Sequence, residues 1–318
     1  MRVSKILIRK YKTGDESKIN KLFNLTFNKS RSLHEWYWKF KKNPAGSPII
    51  YVALLDKRII CHVAVIPHKV KFKNNVTSYQ GVDVMTLDKY RGYGIFSNLS
   101  RYILNESKEK KLIIFAFSSG LAYDIENKKL SFNSVCSVHK LFKPIRQIRT
   151  KKEYDKNLRI LKIDSFDKSV NLLWKKVSKS YKMITVRNQK YLNWRYAEKP
   201  AKEYAIFVAK SKSGILGFIV LKYNGKKGFI MDVLTIKDTQ VVNNLIQKSL
   251  VYLKSKKAES VVCYLMNGYY TKILLRNGFK KIKSDMNLIV KSFSNRVDNK
   301  FLHDRKNWFV TLGDTDWE

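Results

Sequence analysis

A glycine-containing turn with one arginine is the stretch of this 318-residue chain best suited to chemistry. Arg91, Gly92 and Gly94 stand directly before a segment with apolar residues at helical spacing. Glycines let backbone N–H groups approach an anion closely, and the first turn of a helix adds partial positive charge. Arginine adds a fixed charge that suits phosphate. The pattern predicts a cradle for a pyrophosphate group, although a basic surface turn would use the same residue types.

A strand must lead the chain into this turn and a helix must follow it. Val82, Val84 and Thr86 alternate along the preceding stretch, and their β-branched side chains favour an extended strand. Ile95 and Leu99 begin an apolar face at helical spacing after the turn. The sequence therefore predicts a strand, a glycine turn and a helix in that order.

Residues 90–96, which read YRGYGIF, resemble the acyl-CoA motif of the GNAT superfamily of N-acetyltransferases. The family pattern is (Arg/Gln)-x-x-Gly-x-(Gly/Ala), and Phe96 stands where the family has Gly or Ala. The resemblance implies that acetyl-CoA is a cosubstrate of the chain. It also implies that the strand and the turn bind this cosubstrate through Val84, Met85, Thr86, Arg91, Gly92, Tyr93, Gly94, Ile95 and Phe96.

The same resemblance implies direct transfer of the acyl group from the thioester to a deprotonated amine. The oxyanion is expected to bind the backbone N–H of Met85 or Thr86, where the strand splays from its neighbour. Tyr123 is the candidate that protonates the leaving thiolate, with packing as its alternative role. Asp83 is the candidate general base or orienting group, with a structural hydrogen bond as the favoured alternative.

The order of motifs occurs twice along the chain. Residues 194–200 restate residues 38–44 at an offset of 156 (194 − 38), and residues 232–235 restate residues 83–86 at an offset of 149 (232 − 83). Tyr270 likewise matches Tyr123. One internal duplication explains these matches. We therefore predict an α+β (mixed α/β) fold with two GNAT-like domains, each a mixed, mostly antiparallel sheet flanked by helices.

The predicted domain limits are residues 1–150 for the copy with the acyl-CoA turn and 151–294 for a degenerate copy, with residues 295–318 forming a tail that contains a strand. The second copy reads IKDTQV at residues 236–241, without glycine or arginine. Acetyl-CoA is therefore expected in the first copy alone. Asp232 and Tyr270 recur in the degenerate copy, which favours a structural role for the aspartate and leaves packing and catalysis equally open for the tyrosine. The acidic end of the tail is either a solubilising terminus or a source of carboxylates for the acceptor.

The chain is strongly basic, with a net charge of +39. Its lysines are scattered, which favours solvated surfaces over a nucleic-acid footprint, so nucleic acid is a partner that we do not favour. No apolar run reaches the length of a membrane span. The three cysteines and five histidines show no metal-ligand spacing, and the pattern is typical of a cytoplasmic protein with reduced, buried thiols.

The predicted function is transfer of an acetyl group from acetyl-CoA to the primary amine of a small molecule, with an amino sugar as the first guess for the acceptor. Two alternatives stay open. One is a tRNA-dependent aminoacyltransferase of the peptidoglycan-bridge type, and the other is a non-catalytic GNAT-derived module that binds nucleic acid or protein.

Overall fold

The structure, a computed structural model, describes residues 6–72, 75–145, 158–201 and 203–316. The chain divides into two compact units. The first unit contains Met1–Lys69, Val76–Cys136 and Met286–Asp304; the second contains Val70–Asn75, Ser137–Asp285 and Arg305–Glu318. No helix in the described part of the chain is both long and apolar enough to cross a membrane.

The elements up to the end of β6 are β1 (Leu7–Lys10), α1 (Glu16–Phe27), α2 (Leu33–Lys41), β2 (Ile49–Leu55), β3 (Arg58–Lys71), β4 (Asn75–Thr86), α3 (Ile95–Glu109), β5 (Ile113–Ser118), α4 (Gly120–Lys128) and β6 (Asn133–Ser137). The next elements are β7 (His139–Pro144), β8 (Arg159–Ile163), α5 (Val170–Val177), β9 (Met183–Thr185), α6 (Gln189–Leu192), β10 (Tyr204–Ser211), β11 (Gly214–Asn224) and β12 (Lys227–Thr235). The chain continues with α7 (Thr239–Ser255), β13 (Ser260–Met266), α8 (Gly268–Arg276), β14 (Lys280–Ile282), β15 (Asn287–Ser292), α9 (Asn299–His303) and β16 (Trp308–Thr311).

The sheet of the first unit has the order β1-β2-β3-β4-β5-β15-β6. Strands β1, β2 and β3 pair antiparallel, β4 and β5 pair parallel, and β15 pairs antiparallel with β5. The predicted mixed, mostly antiparallel sheet is confirmed. Helices cover both faces. Val82 and Met85 of β4 lie in the core cluster of α1 and α2, and Leu99 of α3 packs with Ile114 of β5 in another cluster.

The sequence has two Ser/Thr-x-x-Glu patterns, Thr13–Glu16 and Ser32–Glu35, each of which predicts a capping box at a helix start, and the two had different outcomes. At α2 the capping box is confirmed, because Ser32 Oγ accepts from the Glu35 N–H at 3.2 Å and Glu35 Oε2 accepts from the Ser32 N–H at 3.0 Å. At α1 the predicted box from Thr13 is wrong, since the helix begins at Glu16 with Asp15 before it. The Glu16 carboxylate instead accepts from the N–H of Gly14.

The sheet of the second unit repeats this plan. Strands β10, β11 and β12 are antiparallel neighbours, β8 pairs with β10, and β13 lies parallel to β12. The antiparallel partners of β13 are β7, from earlier in the chain, and β16, near its end.

Two strands do not belong to the unit to which the predicted domain limits would assign them. Strand β7 falls within the predicted first domain, 1–150, yet it belongs to the second unit. Strand β15 falls within the predicted second domain, 151–294, yet it belongs to the first unit. The tail at 295–318 also divides, with α9 in the first unit and the predicted strand, β16, in the second. The predicted boundary between the two domains, at residues 150 and 151, lies outside the described residues.

Candidate functional site

The two central strands of the first unit pair over a short length only. Strands β4 and β5 pair at Tyr79–Ile114 and Gln80–Phe115, although β4 continues to Thr86. The N–H of Leu87 donates to Ile60 O of β3 at 2.9 Å. Since N–H groups of successive strand residues point to opposite sides, the Thr86 N–H faces away from β3, toward β5. Of the two predicted oxyanion donors, Thr86 is therefore the better placed.

The turn after β4 has the geometry of an anion cradle. Gly92 and Gly94 have φ values of 87° and 74°, which side chains of L-residues rarely adopt. Helix α3 begins at Ile95, its N-cap Gly94 makes no side-chain cap bond, and its first turn holds no acidic residue. The first N–H groups of this 15-residue helix are thus available to an anion.

Arg91 lies at the surface beside this cradle. Its Nε donates to Thr86 O at 3.3 Å, and its Nη2 lies 2.8 Å from Asp88 Oδ1 in an exposed ion pair. Exposed pairs of this kind contribute little free energy, so the guanidinium can exchange Asp88 for a phosphate. Tyr93 is also exposed, whereas Ile95 is buried in the core under α3.

At the equivalent helix of the second unit, a side chain fills the anion position. Asp238 precedes α7, and its Oδ1 accepts from the N–H groups of Gln240 at 2.8 Å and Val241 at 3.3 Å. The helix start that a phosphate could use is thus capped by the chain's own carboxylate. This arrangement agrees with the absence of a glycine turn there.

The strand end of the second unit is filled in the same way. Thr235 is the counterpart of Thr86 (235 − 86 = 149), and Ile236 N donates to Leu216 O at 2.8 Å as Leu87 does in the first unit. The Thr235 N–H donates to the buried hydroxyl oxygen of Tyr270 at 2.8 Å. A tyrosine hydroxyl therefore occupies the place at which a thioester carbonyl would accept a hydrogen bond.

Tyr123 differs from its counterpart Tyr270. It lies on α4, partly exposed, and its hydroxyl donates to Ser134 Oγ at 3.0 Å. Among the described residues, its hydroxyl makes no bond to Thr86 or Asp83. The packing role shown by Tyr270 does not extend to Tyr123, whose predicted role as an acid stays a prediction.

Asp83 is buried at a kink in β4, where its φ is 48°. Its carboxylate accepts from Arg31 Nη1 and, at 2.6 Å, from Lys39 Nζ. Burial by itself raises the pKa of this carboxyl, but the charges of Lys39 and Arg31 outweigh burial and hold the pKa well below its usual range. A carboxylate held in this way is a poor proton acceptor, so the geometry favours the structural role over the predicted general base.

The second unit repeats this ion pair at the offset of the duplication. Asp232 Oδ2 accepts from Arg187 Nε at 3.0 Å, and Arg187 is the counterpart of Arg31 (187 − 31 = 156). The pair in the second unit also binds the tail, because Arg187 Nη2 donates to Asp314 Oδ2 at 2.7 Å. Neither Arg31 nor Arg187 belongs to a recognisable motif in the sequence, and only the offset of 156 residues between the two copies relates them.

His62 supports the kink from β3. Its Nδ1 lies 2.8 Å from Asp83 O, and because a carbonyl only accepts, Nδ1 carries the proton. Full burial lowers the pKa of His62 to about 4, with the charge of Asp83 opposing the shift. His62 is therefore a buried histidine that is hydrogen-bonded through Nδ1.

The tail is an integral part of the second unit. Asp314 is buried, and its Oδ2 also accepts from the Thr311 N–H at 2.8 Å. A solubilising terminus is therefore the wrong description of this part of the tail. Glu318, the last acid of the chain, lies outside the described residues.

Comparisons with known proteins agree with this geometry. Residues 7–125 match the family model described as an acetyltransferase (GNAT) domain. None of the curated proteins matches the chain.

Several solved structures share the fold over most of the chain. A probable N-acyltransferase from Enterococcus faecalis matches with a TM-score of 0.69 and 12% identity, over 91% of this chain and 73% of that one. A GCN5-related N-acetyltransferase from Anabaena variabilis matches with a TM-score of 0.67 and 12% identity, over 91% and 73%. N-myristoyltransferase from Saccharomyces cerevisiae, solved with bound myristoyl-CoA, matches with a TM-score of 0.66 and 12% identity, over 92% and 80%.

Proposed function

We propose that the chain transfers an acyl group from acyl-CoA to a primary amine and binds one acyl-CoA, in its first unit, where residues 7–125 match the family model of an acetyltransferase (GNAT) domain. The pyrophosphate binds the N–H groups at Gly94 and the start of α3. The thioester carbonyl accepts from the Thr86 N–H. Acetyl-CoA is the reference cosubstrate for this proposal.

The contrast between the two units carries the proposal. In the second unit, the Asp238 carboxylate caps the helix and the Tyr270 hydroxyl accepts from the strand N–H. In the first unit, glycine stands at the helix start, and the hydroxyl of Tyr123 bonds Ser134 instead. The same two backbone positions are thus closed by side chains in one copy and left to a ligand with an anion and a carbonyl in the other.

The transfer itself needs little from the protein beyond placement. The neutral amine attacks the thioester carbonyl carbon, and the developing oxyanion is stabilised by the Thr86 N–H. The C–N bond forms, the C–S bond breaks, the thiolate takes a proton and the attacking nitrogen releases one to solvent. Tyr123 is the proposed donor of that proton, and it must release Ser134 to reach the sulfur.

The acceptor is proposed to be a small-molecule amine, with an amino sugar as the first guess by analogy with fold relatives. The glycine turn favours acyl-CoA as the donor over the alternative of a charged tRNA. Its backbone N–H groups at the start of α3 suit the pyrophosphate of CoA, and no other feature of the described residues explains why they lack a side-chain cap. A charged tRNA that donates its aminoacyl group while acetyl-CoA fails to bind would establish the alternative.

Calorimetry with acetyl-CoA tests the assignment. We expect one site per chain. The variant Gly94→Val should weaken binding by about 10-fold or more, because a β-branched residue at positive φ costs roughly 1–2 kcal/mol and its side chain stands in the cradle.

Gly225→Val is the matched control. Gly225 also has a positive φ, 56°, in open space, but it lies in the turn between β11 and β12. Its replacement should leave acetyl-CoA affinity unchanged. Two equivalent sites per chain, or equal effects of the two variants, would refute the assignment.

A further inference from the structure

An apolar cavity lies in the first unit between the sheet and α3. Its floor contains Gly81 and Val84 of β4 and Ala116 of β5, and its roof contains Phe96 and Leu104 of α3. Two polar residues, Ser100 and Glu126, also line it. The cavity volume is about 30 Å³, which is room for roughly two water-sized groups.

The cavity begins where the pairing of the central strands stops. Gln80 and Phe115 form the last pair of β4 and β5, and the cavity floor starts with the next residue of each strand. Only small residues stand at this point, where the strands leave little room: a Cβ added at Gly81 would lie 3.3 Å from the Cβ of Ala116. An acyl chain that runs along β4 from Thr86 toward Gln80 is therefore blocked where β4 and β5 begin to pair, and the free space open to it lies under α3.

We propose that this cavity is the subsite for the end of an acyl chain and that the enzyme prefers acyl-CoA with about six to eight carbons over acetyl-CoA. This inference rests on the proposed function, because it takes the thioester carbonyl to lie at the Thr86 N–H. From there to Val84, the near edge of the cavity, the strand advances roughly 7 Å over two residues. An acetyl group is too short to span this distance, whereas a medium chain spans it and places its last two carbons in the cavity.

The length limit follows from the enclosing residues. Leu104, Leu130 and Phe132 also line the cavity, so an acyl chain that fills it and continues meets side chains. Phe96, which replaces the small residue of the family pattern, contributes apolar surface to the roof. We therefore expect affinity to rise from acetyl to octanoyl and to fall again for myristoyl.

The test is calorimetry of the intact chain with acetyl-, butyryl-, hexanoyl-, octanoyl- and myristoyl-CoA. Each buried methylene should strengthen binding about 4-fold, so two carbons in the cavity should make octanoyl-CoA at least about 15-fold tighter than acetyl-CoA. Ala116→Leu fills the floor and should abolish this ratio. Ala45→Leu, the same change in a loop away from the cavity, should preserve it.

A second variant covers the case in which Ala116→Leu fails to fold. Leu104→Ala enlarges the far end and should move the preferred chain length upward by one or two carbons. If acetyl-CoA binds the wild-type chain and octanoyl-CoA binds no tighter, the acyl subsite is refuted while the proposed function stands. If no acyl-CoA binds, both are refuted.

Discussion

Acidification should destabilise this protein through His62. The ring is fully buried on β3, its Nδ1–H donates to Asp83 O, and its Nε2 has no partner among the described residues. A proton added at Nε2 would add a positive charge near those of Arg31 and Lys39, without water to solvate it. The folded protein therefore holds this histidine in the neutral form.

The size of the effect follows from linkage. The pKa of His62 is lowered to about 4 in the folded state, against about 6.5 when unfolded. The stability that this contributes is fully present above pH 6.5 and is lost as the pH falls from 6.5 toward 4. Between pH 7 and pH 5 the free energy of unfolding should fall by about 2 kcal/mol from this one group.

Urea unfolding of the wild-type chain and of His62→Gln at pH 7 and pH 5 measures the effect. Glutamine keeps a donor for Asp83 O but does not titrate, so the variant should lose about 2 kcal/mol less than the wild type on acidification. His34→Gln, a change of an exposed histidine in the same unit, should behave as the wild type. Equal losses in the wild type and His62→Gln would show that the buried histidine does not resist protonation.

Three further predictions concern the contrast between the units. Tyr123→Phe should lower kcat by roughly 10²–10⁴-fold with little change in acetyl-CoA affinity. Tyr270→Phe should leave kcat intact and cost about 1–3 kcal/mol of unfolding free energy, because it leaves the buried Thr235 N–H without an acceptor. Steady-state kinetics and urea unfolding of both variants separate the roles. Asp238→Ala should cost about 1 kcal/mol in the same unfolding assay as a lost helix cap, and a gain of a second acetyl-CoA site would contradict our view of that copy. Asp314→Asn should cost about 3–5 kcal/mol because it leaves buried Arg187 short of one charge, and a raised acceptor KM at unchanged stability would instead give the tail a role in acceptor binding.

The sequence predicted well what depends on neighbouring residues. The capping box at Ser32 and Glu35 needs only one helical turn. The glycine turn was also readable, because positive φ at Gly92 and Gly94 is a local requirement. The duplication then indicated which copy lacks the turn.

Contacts between segments that lie far apart along the chain could not be predicted from the sequence pattern. The apolar residues of β7 and β15 record which face of each strand is buried but not which strand is its neighbour. The hydrogen bond from the Thr235 N–H to the Tyr270 hydroxyl depends on where a strand end and a helix meet in space. The kink at Asp83 is likewise set by Arg31 and Lys39, which lie far away along the chain.

The late arrival of β15 has a consequence for biosynthesis. Strand β5 pairs along its whole length, from Ile113 to Ser118, with a strand that the ribosome makes much later, Asn287–Ser292. Until then, the hydrogen-bonding edge of β5 is exposed, and an exposed edge is a template for intermolecular pairing. The glycine turn thus emerges early but belongs to a sheet that is completed only once β15 has been made. An N-terminal fragment of residues 1–150 should therefore aggregate when expressed alone, and adding a peptide of residues 286–304 should rescue it.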